Sequence, residues 1–151
     1  MLVRELIFEE LWRRMALVTG VTSTARNPIN PPAESDLPRI NLFELSDEVD
    51  SASTRGRERS PVFKRTLTIL LECFTVADSE AATSKTLWDF VEQMKIQLYS
   101  GGNSLGMRML EVMEVRTSEV YRPPDLEKVA GVGIELEIAY VEDISTITGS
   151  L

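Results

Sequence analysis

The chain has 151 residues, a net charge of −8, one cysteine and no histidine. Its length suits a single domain over residues 1–151, and the absence of histidine removes the commonest general base and the commonest metal ligand. The acidic balance opposes general binding to nucleic acid, and the lone Cys73 excludes an internal disulfide and suits synthesis in a reducing cytoplasm.

The first predicted element is an amphipathic helix over residues 2–18. Its apolar residues recur at steps of three and four, namely Leu2, Leu6, Ile7, Leu11, Met15 and Val18. Arginines and glutamates occupy the other face, and they also interrupt every stretch that could serve as the apolar core of a signal peptide. No apolar run approaches the ~20 residues that span a bilayer, so we expect no contact with a membrane.

Prolines and asparagines then mark residues 27–38 as an extended connection, because proline neither continues a helix nor donates a hydrogen bond to an inner strand. The alternating residues 39–46 predict a strand that directs Ile40, Leu42 and Glu44 to one face.

Residues 46–61 contain almost no side chain that could be buried, so the sequence predicts a long flexible loop between two strands. An acidic half of this loop precedes a basic half. The charged residues of the two halves are Asp47, Glu48 and Asp50, followed by Arg55, Arg57 and Arg59.

The rest of the chain predicts a strand, a helix and two further strands. The strand covers residues 63–77, with Phe63, Leu67, Ile69, Leu71 and Cys73 on one face. The helix starts after a cap at Asp78 or Ser79 and ends before the glycines at 101 and 102. The last two strands cover residues 110–121 and 132–141, and the second directs Glu135 and Glu137 away from its apolar face.

The predicted order is therefore α-β-β-α-β-β, which is typical of an α+β fold. We expect a two-layer sandwich in which two main helices cover one face of a mainly antiparallel four-stranded sheet. Residues from about 143 to 151 are left as a C-terminal tail.

No constellation in the sequence predicts catalysis, a cofactor or a metal. The chain lacks the glycine motifs that hold phosphates, and the acids at 47–50 lack the spacing and the glycine of a calcium loop. Cys73 lies on an apolar strand face and is predicted to be an inert buried thiol. A carboxylate pair such as Glu111 and Glu114 could in principle serve a hydrolase, but we expect a protein that is not an enzyme.

Several segments together resemble a known family. They are LPRINLFELSDE, the strand VFKRTLTILLECF leading into DSEAA, the helix LWDFVEQMKIQL and the final strand GVGIELEIAYV. In order, length and pattern, roughly residues 1–142 resemble the tail terminator proteins of long-tailed bacteriophages, the minor tail protein U-like group. The resemblance implies a hexameric ring on the head-proximal end of the tail tube, which stops tube growth and offers the surface for joining the tail to the head.

The resemblance also implies partners and a location. The partners would be further copies of the chain, the tail tube protein and a neck or connector protein, with DNA passing through the lumen without specific binding. The protein would be part of the virion tail, assembled in the bacterial cytoplasm. Contacts in a closed ring are heterologous, so the basic half of one loop can meet the acidic half of another.

The alternative hypothesis is a small-molecule or regulatory binding module on the same α+β sandwich. Such a module needs a concave apolar pocket with a few converging polar groups.

Overall fold

The computed structural model describes residues 2–55, 60–123 and 128–144, and these form a five-stranded sheet with two helices. The elements in chain order are α1 (Val3–Ala16), β1 (Ser23–Arg26), a short 3-10 helix (Glu34–Asp36), β2 (Arg39–Arg55), β3 (Ser60–Val76), α2 (Glu80–Leu98), β4 (Glu111–Thr117) and β5 (Val129–Asp143). The predicted α+β arrangement of a sheet and two helices is confirmed. None of the helices in the described ranges is long and apolar enough to cross a membrane.

The sheet has the strand order β1-β2-β3-β5-β4, and it is mixed rather than antiparallel throughout. β1 pairs with β2 in parallel, whereas every other neighbouring pair is antiparallel. The predicted four strands and the order α-β-β-α-β-β therefore lack one element, the strand β1. β1 is a four-residue strand without alternating apolar residues, and it exists because the later β2 offers it backbone partners.

The predicted loop over residues 46–61 is wrong for most of its length. β2 continues to Arg55, β3 begins at Ser60, and the two strands stay paired to their ends. β5 extends beside β3 as far as the pair Val62 and Asp143. Backbone hydrogen bonds thus hold a segment extended although its side chains build no core. We call residues 47–55 and 60–66 the hairpin arm.

The main core lies between the helices and one face of the sheet, which we call the inner face. The faces predicted for β3 and β5 are confirmed. Leu67, Ile69, Leu71 and Cys73 are buried on the first strand, and the second contributes Val132, Ile134, Leu136, Ile138 and Tyr140. The predicted apolar stripes of the helices pack against them through Ile7, Leu11, Met15, Leu87, Val91, Met94 and Leu98.

Helix ends in this core are held by side chains. Ser79 caps α2 as predicted, since its Oγ accepts the N–H of Ala82 at 3.2 Å. At the other end of α2, the buried Arg14 of α1 donates to the carbonyls of Gln97, Leu98 and Ser100 at 2.9–3.0 Å. An arginine in this position satisfies carbonyls that a helix end leaves without partners.

Candidate functional site: the arm, its base and the sheet edges

On the inner face, charged side chains replace apolar ones at the base of the arm, where the helices no longer cover the sheet. Helix α1 begins close to this point, and strands β1, β2, β3 and β5 each contribute a side chain. We call this group the arm-base cluster; it comprises Arg4, Glu5, Arg26, Glu44, Asp47, Arg65, Tyr140 and Glu142.

Asp47 is the most enclosed acid of this cluster. The sequence had predicted that it lies in a solvated loop. Its side chain is only 10% exposed. Oδ2 accepts the hydroxyl of Tyr140 at 2.7 Å and Nη1 of Arg4 at 3.4 Å, while Oδ1 lies 3.7 Å from Nη1 of Arg65. Among the described residues, Oδ1 has no hydrogen bond. Burial and the bond to Asp47 raise the pKa of Tyr140, so its hydroxyl stays a donor.

Glu44 joins helix α1 to the two strands at this edge of the sheet. It accepts hydrogen bonds from Arg4 and from Nε of Arg26, the second at 2.7 Å. Burial opposes ionisation of Glu44, but the two arginines outweigh it and lower its pKa. Arg26 also makes a two-bond contact with Glu5 at 2.9 Å and stacks over the ring of Phe8 at 4.2 Å. The cluster therefore ties the arm to α1 through ion pairs rather than apolar packing.

The remaining predicted interface residues lie outside this cluster. Glu48 and Asp50 are exposed on the arm, and Thr66 donates its hydroxyl to Asp50 at 2.6 Å. Arg55 ends β2, and its side chain lies outside the described residues. Arg57 and Arg59 lie outside the described residues altogether. A shared interface of the six positions therefore stays a prediction, because three of the side chains lie outside the described residues.

Both edges of the sheet display aliphatic side chains to solvent. Leu45 and Val49 on β2 are 52% and 48% exposed, and Met113 and Val115 on β4 are 55% and 50% exposed. The sheet register shifts at Leu45 and at Val115, so each of these residues sits in a bulge. Exposed aliphatic residues on strand edges are typical of contact surfaces between proteins.

The described part of the chain offers little for catalysis or ligand capture. Glu111 shares the outer face with Ala139, whereas Glu114 faces inward beside Leu136, so the two carboxylates considered for a hydrolase lie on opposite faces. Burial raises the pKa of the Cys73 thiol to about 12. The described residues contain no group of three or more cysteines and carboxylates placed to hold a metal ion.

The described residues form an open groove of about 420 Å³ between the arm and the loop before β4. Its lining mixes polar and apolar residues, including Asp50, Lys64, Met109, Glu111 and Ala139. An open groove of this kind lacks the enclosed apolar walls that a small-molecule binding module requires.

Sequence reasoning missed most of the arm-base cluster. Arg4 and Arg26 looked like ordinary surface charges, and Arg65 looked like one polar residue of an alternating strand. One signal was present, because Glu44 occupies an inward position of its strand after Ile40 and Leu42. A charged residue in such a position calls for a buried partner of opposite charge.

No protein-family model and no curated protein matches the sequence. Among solved structures, the fold is similar to a chain of the structure described as "Virion of native gene transfer agent (GTA) particle". The two chains are 13% identical, the TM-score is 0.50, and the match covers 87% of this chain and 91% of the other.

Proposed function

We propose that this chain is a structural protein of a phage-like virion. The observation that supports this proposal is the fold similarity to a chain of a virion particle, which extends over nearly the whole length of both chains. The geometry agrees with a structural role, because the described surface carries exposed strand edges and a long paired hairpin arm.

The specific role that we propose is that of a tail terminator. Several copies, six by the family resemblance, would form a ring on the head-proximal end of the tail tube, end its polymerisation and provide the surface for joining the head. The partners would be the tube protein on one side and a neck or connector protein on the other, with DNA passing through the lumen. The acidic net charge of the chain suits a ring through which DNA passes, because a negatively charged wall repels the DNA backbone.

A gene deletion tests this role directly. Without a terminator, tails should grow to uncontrolled lengths and remain separate from heads, and both defects are visible in electron micrographs of lysates. Tails of normal length in the deletion strain would refute the terminator role while leaving a different virion role open.

The purified protein offers a second test. Sizing chromatography with and without isolated tail tubes should show binding to tubes, and negative-stain micrographs should show closed rings. A stable monomer that ignores tubes would instead favour the small-molecule or regulatory binding module.

A further inference from the structure

One edge of the sheet is open along most of β2. The pairing of β1 with β2 ends at Arg26 and Leu42. The side chain of Asn27 then accepts the N–H of Glu44 at 2.9 Å. From Leu45 onward, no described strand pairs with this side of β2. The arm therefore presents an unpaired backbone edge together with its exposed aliphatic residues.

The opposite edge is open along the second half of β4. The carbonyl of Asn103 accepts the N–H of Val112 at 2.7 Å, so a loop residue occupies the start of this edge. From Met113 to Thr117, the described chain provides no strand on the outer side of β4. The molecule thus carries two different open edges on opposite sides of one sheet.

The bulges at Leu45 and Val115 lie at the same level of the sheet, whereas a second shift on β2, at Asp50, lies farther along the arm. The pairing of β2 skips Leu45 beside Ile69, and the pairing of β4 skips Val115 beside Leu136. Ile69 and Leu136 are themselves paired, so the two bulges flank a single row across the sheet. Copies related by rotation about an axis along the strands keep the same height, which brings Leu45 of one copy next to Val115 of another.

Strand direction also permits this contact. β2 and β5 run one way, and β3 and β4 run the other way. If two copies stand side by side in the same orientation, β4 of the first is antiparallel to β2 of the second. Antiparallel pairing is the more stable arrangement per residue.

The chemistry of the two edges is complementary. Each edge has two aliphatic side chains that are about half exposed, and their contact would remove apolar surface from water. Glu48 and Asp50 are exposed on the β2 side. On β4, Arg116 is 76% exposed and its described ion pair, with Glu135, is long at 3.9 Å. An exposed arginine therefore lies on one edge and exposed carboxylates lie on the other.

We propose that copies of this chain join edge to edge, with β4 of one copy against β2 of the next and the contact centred on Val115 and Leu45. This inference rests on the ring of the proposed function and assigns the surfaces that close it. The contact is heterologous, as a ring requires. The bulges interrupt a long hydrogen-bond ladder, so apolar side chains carry the contact and open-ended sheet growth is disfavoured.

Site-directed cross-linking tests the contact. In a Cys73→Ala background, Leu45→Cys combined with Val115→Cys is treated with a short bifunctional thiol reagent. We expect a ladder of covalent oligomers that extends to the size of the ring. The matched control combines Leu45→Cys with Ile96→Cys, because Ile96 is 53% exposed but lies on α2, and it should yield no ladder.

The outcomes separate this inference from the proposed function. Rings in micrographs without a 45–115 cross-link would overturn the edge contact and leave the ring intact. Cross-linking of the Leu45→Cys variant alone would indicate a two-fold contact and would also overturn it. A protein that forms no rings on tail tubes would instead overturn the proposed function itself.

Charge substitutions provide a second measurement. Leu45→Asp and Val115→Asp should each weaken assembly at least tenfold with unchanged melting of the monomer, while Ile96→Asp should leave assembly unchanged. Combining Leu45→Lys with Val115→Asp should restore assembly in part. Equal effects of all three aspartate substitutions, or no effect of any, would overturn the proposed contact.

Discussion

The inner face of the sheet is stabilised in two different ways along its length. We call the helices and the part of the sheet beneath them the body. There the inner face is apolar and enclosed, and Leu71 and Leu136 are inaccessible to solvent. Toward the arm, the same face carries ion pairs such as those of Asp47 with Arg4 and Arg65. Apolar burial in the body supplies most of the folding free energy, whereas partly exposed ion pairs contribute little. The difference indicates that the body, rather than the arm, determines most of the folding stability.

The sharpest test of the difference between body and arm makes the same change, leucine to alanine, once in each region. Leu71→Ala in the body should reduce the free energy of unfolding by about 3 kcal/mol, because it leaves a cavity among enclosed side chains. Leu45→Ala at the edge, where the side chain is 52% exposed, should cost less than about 0.5 kcal/mol. Chemical denaturation measures both values. Similar losses at the two positions would contradict the division into body and arm.

Arg14 tests whether a buried charge in the body contributes more to stability than an exposed charge on the same helix. Arg14→Met removes the donor to three carbonyls at the end of α2, so we expect a loss of about 2 kcal/mol. The matched control is Arg13→Met, since the neighbouring side chain is 59% exposed and its loss should hardly change the free energy of unfolding. The same unfolding measurements apply, and equal losses for the two arginines would be inconsistent with a capping role.

Acid should weaken the body through Glu10. Hydrogen bonds from Arg13, and then from Arg14, lower the pKa of Glu10 from 4.5 to about 2, although burial opposes this shift. Because the folded pKa is the lower one, the stabilisation is complete above pH 4.5 and is lost as the pH falls toward 2.

The corresponding variant is Glu10→Gln. It should remove about 1 kcal/mol of the pH dependence of unfolding in this range, after allowance for screening by solvent. Arg13→Met should remove part of the same dependence. Thermal melting between pH 6 and pH 2 measures it, and identical pH profiles for wild type and Glu10→Gln would exclude this origin.

The smallest effect on monomer stability is expected for the three arginines at positions 55, 57 and 59. Changing Arg55, Arg57 and Arg59 together to Ala should leave the monomer melting temperature nearly unchanged. It should weaken assembly, and more at low than at high salt, because screening already weakens the native contact at high salt. Sedimentation at two salt concentrations measures assembly. Lys85→Ala, at an exposed position on α2, is the control, and a large drop in monomer melting would refute the assignment of these arginines to assembly.

Much of the body was predictable because burial leaves a regular pattern. The alternation in β5 and in most of β3, and the three-and-four spacing in both helices, identified most of the side chains that meet in the core. In α1 the prediction was wrong for Leu2 and Leu6, which are exposed, and it missed the buried Phe8. The arm was not predictable in the same way. Its strands are polar, and a polar segment without a buried face has the composition of a flexible loop.

The candidate site was predicted only in part. Glu48 and Asp50 are exposed as expected, whereas Asp47 turns inward to Tyr140 and Arg4. Register explains the difference, because the bulge at Leu45 changes which residues of β2 face inward. A bulge leaves no sequence signal in a polar strand, so this outcome could not be read from residue types.

The sequence by itself determined the fold class, the core faces and the absence of histidine chemistry, because these depend on residue type and on local spacing. Only the tertiary structure decided the existence of β1, the extended arm, the partners of Asp47 and the capping of α2 by Arg14. Each of these depends on hydrogen bonds or ion pairs between residues far apart in the chain, such as Arg14 and Leu98. Such pairs carry no periodicity, so they appear only when the sheet and helices have come together.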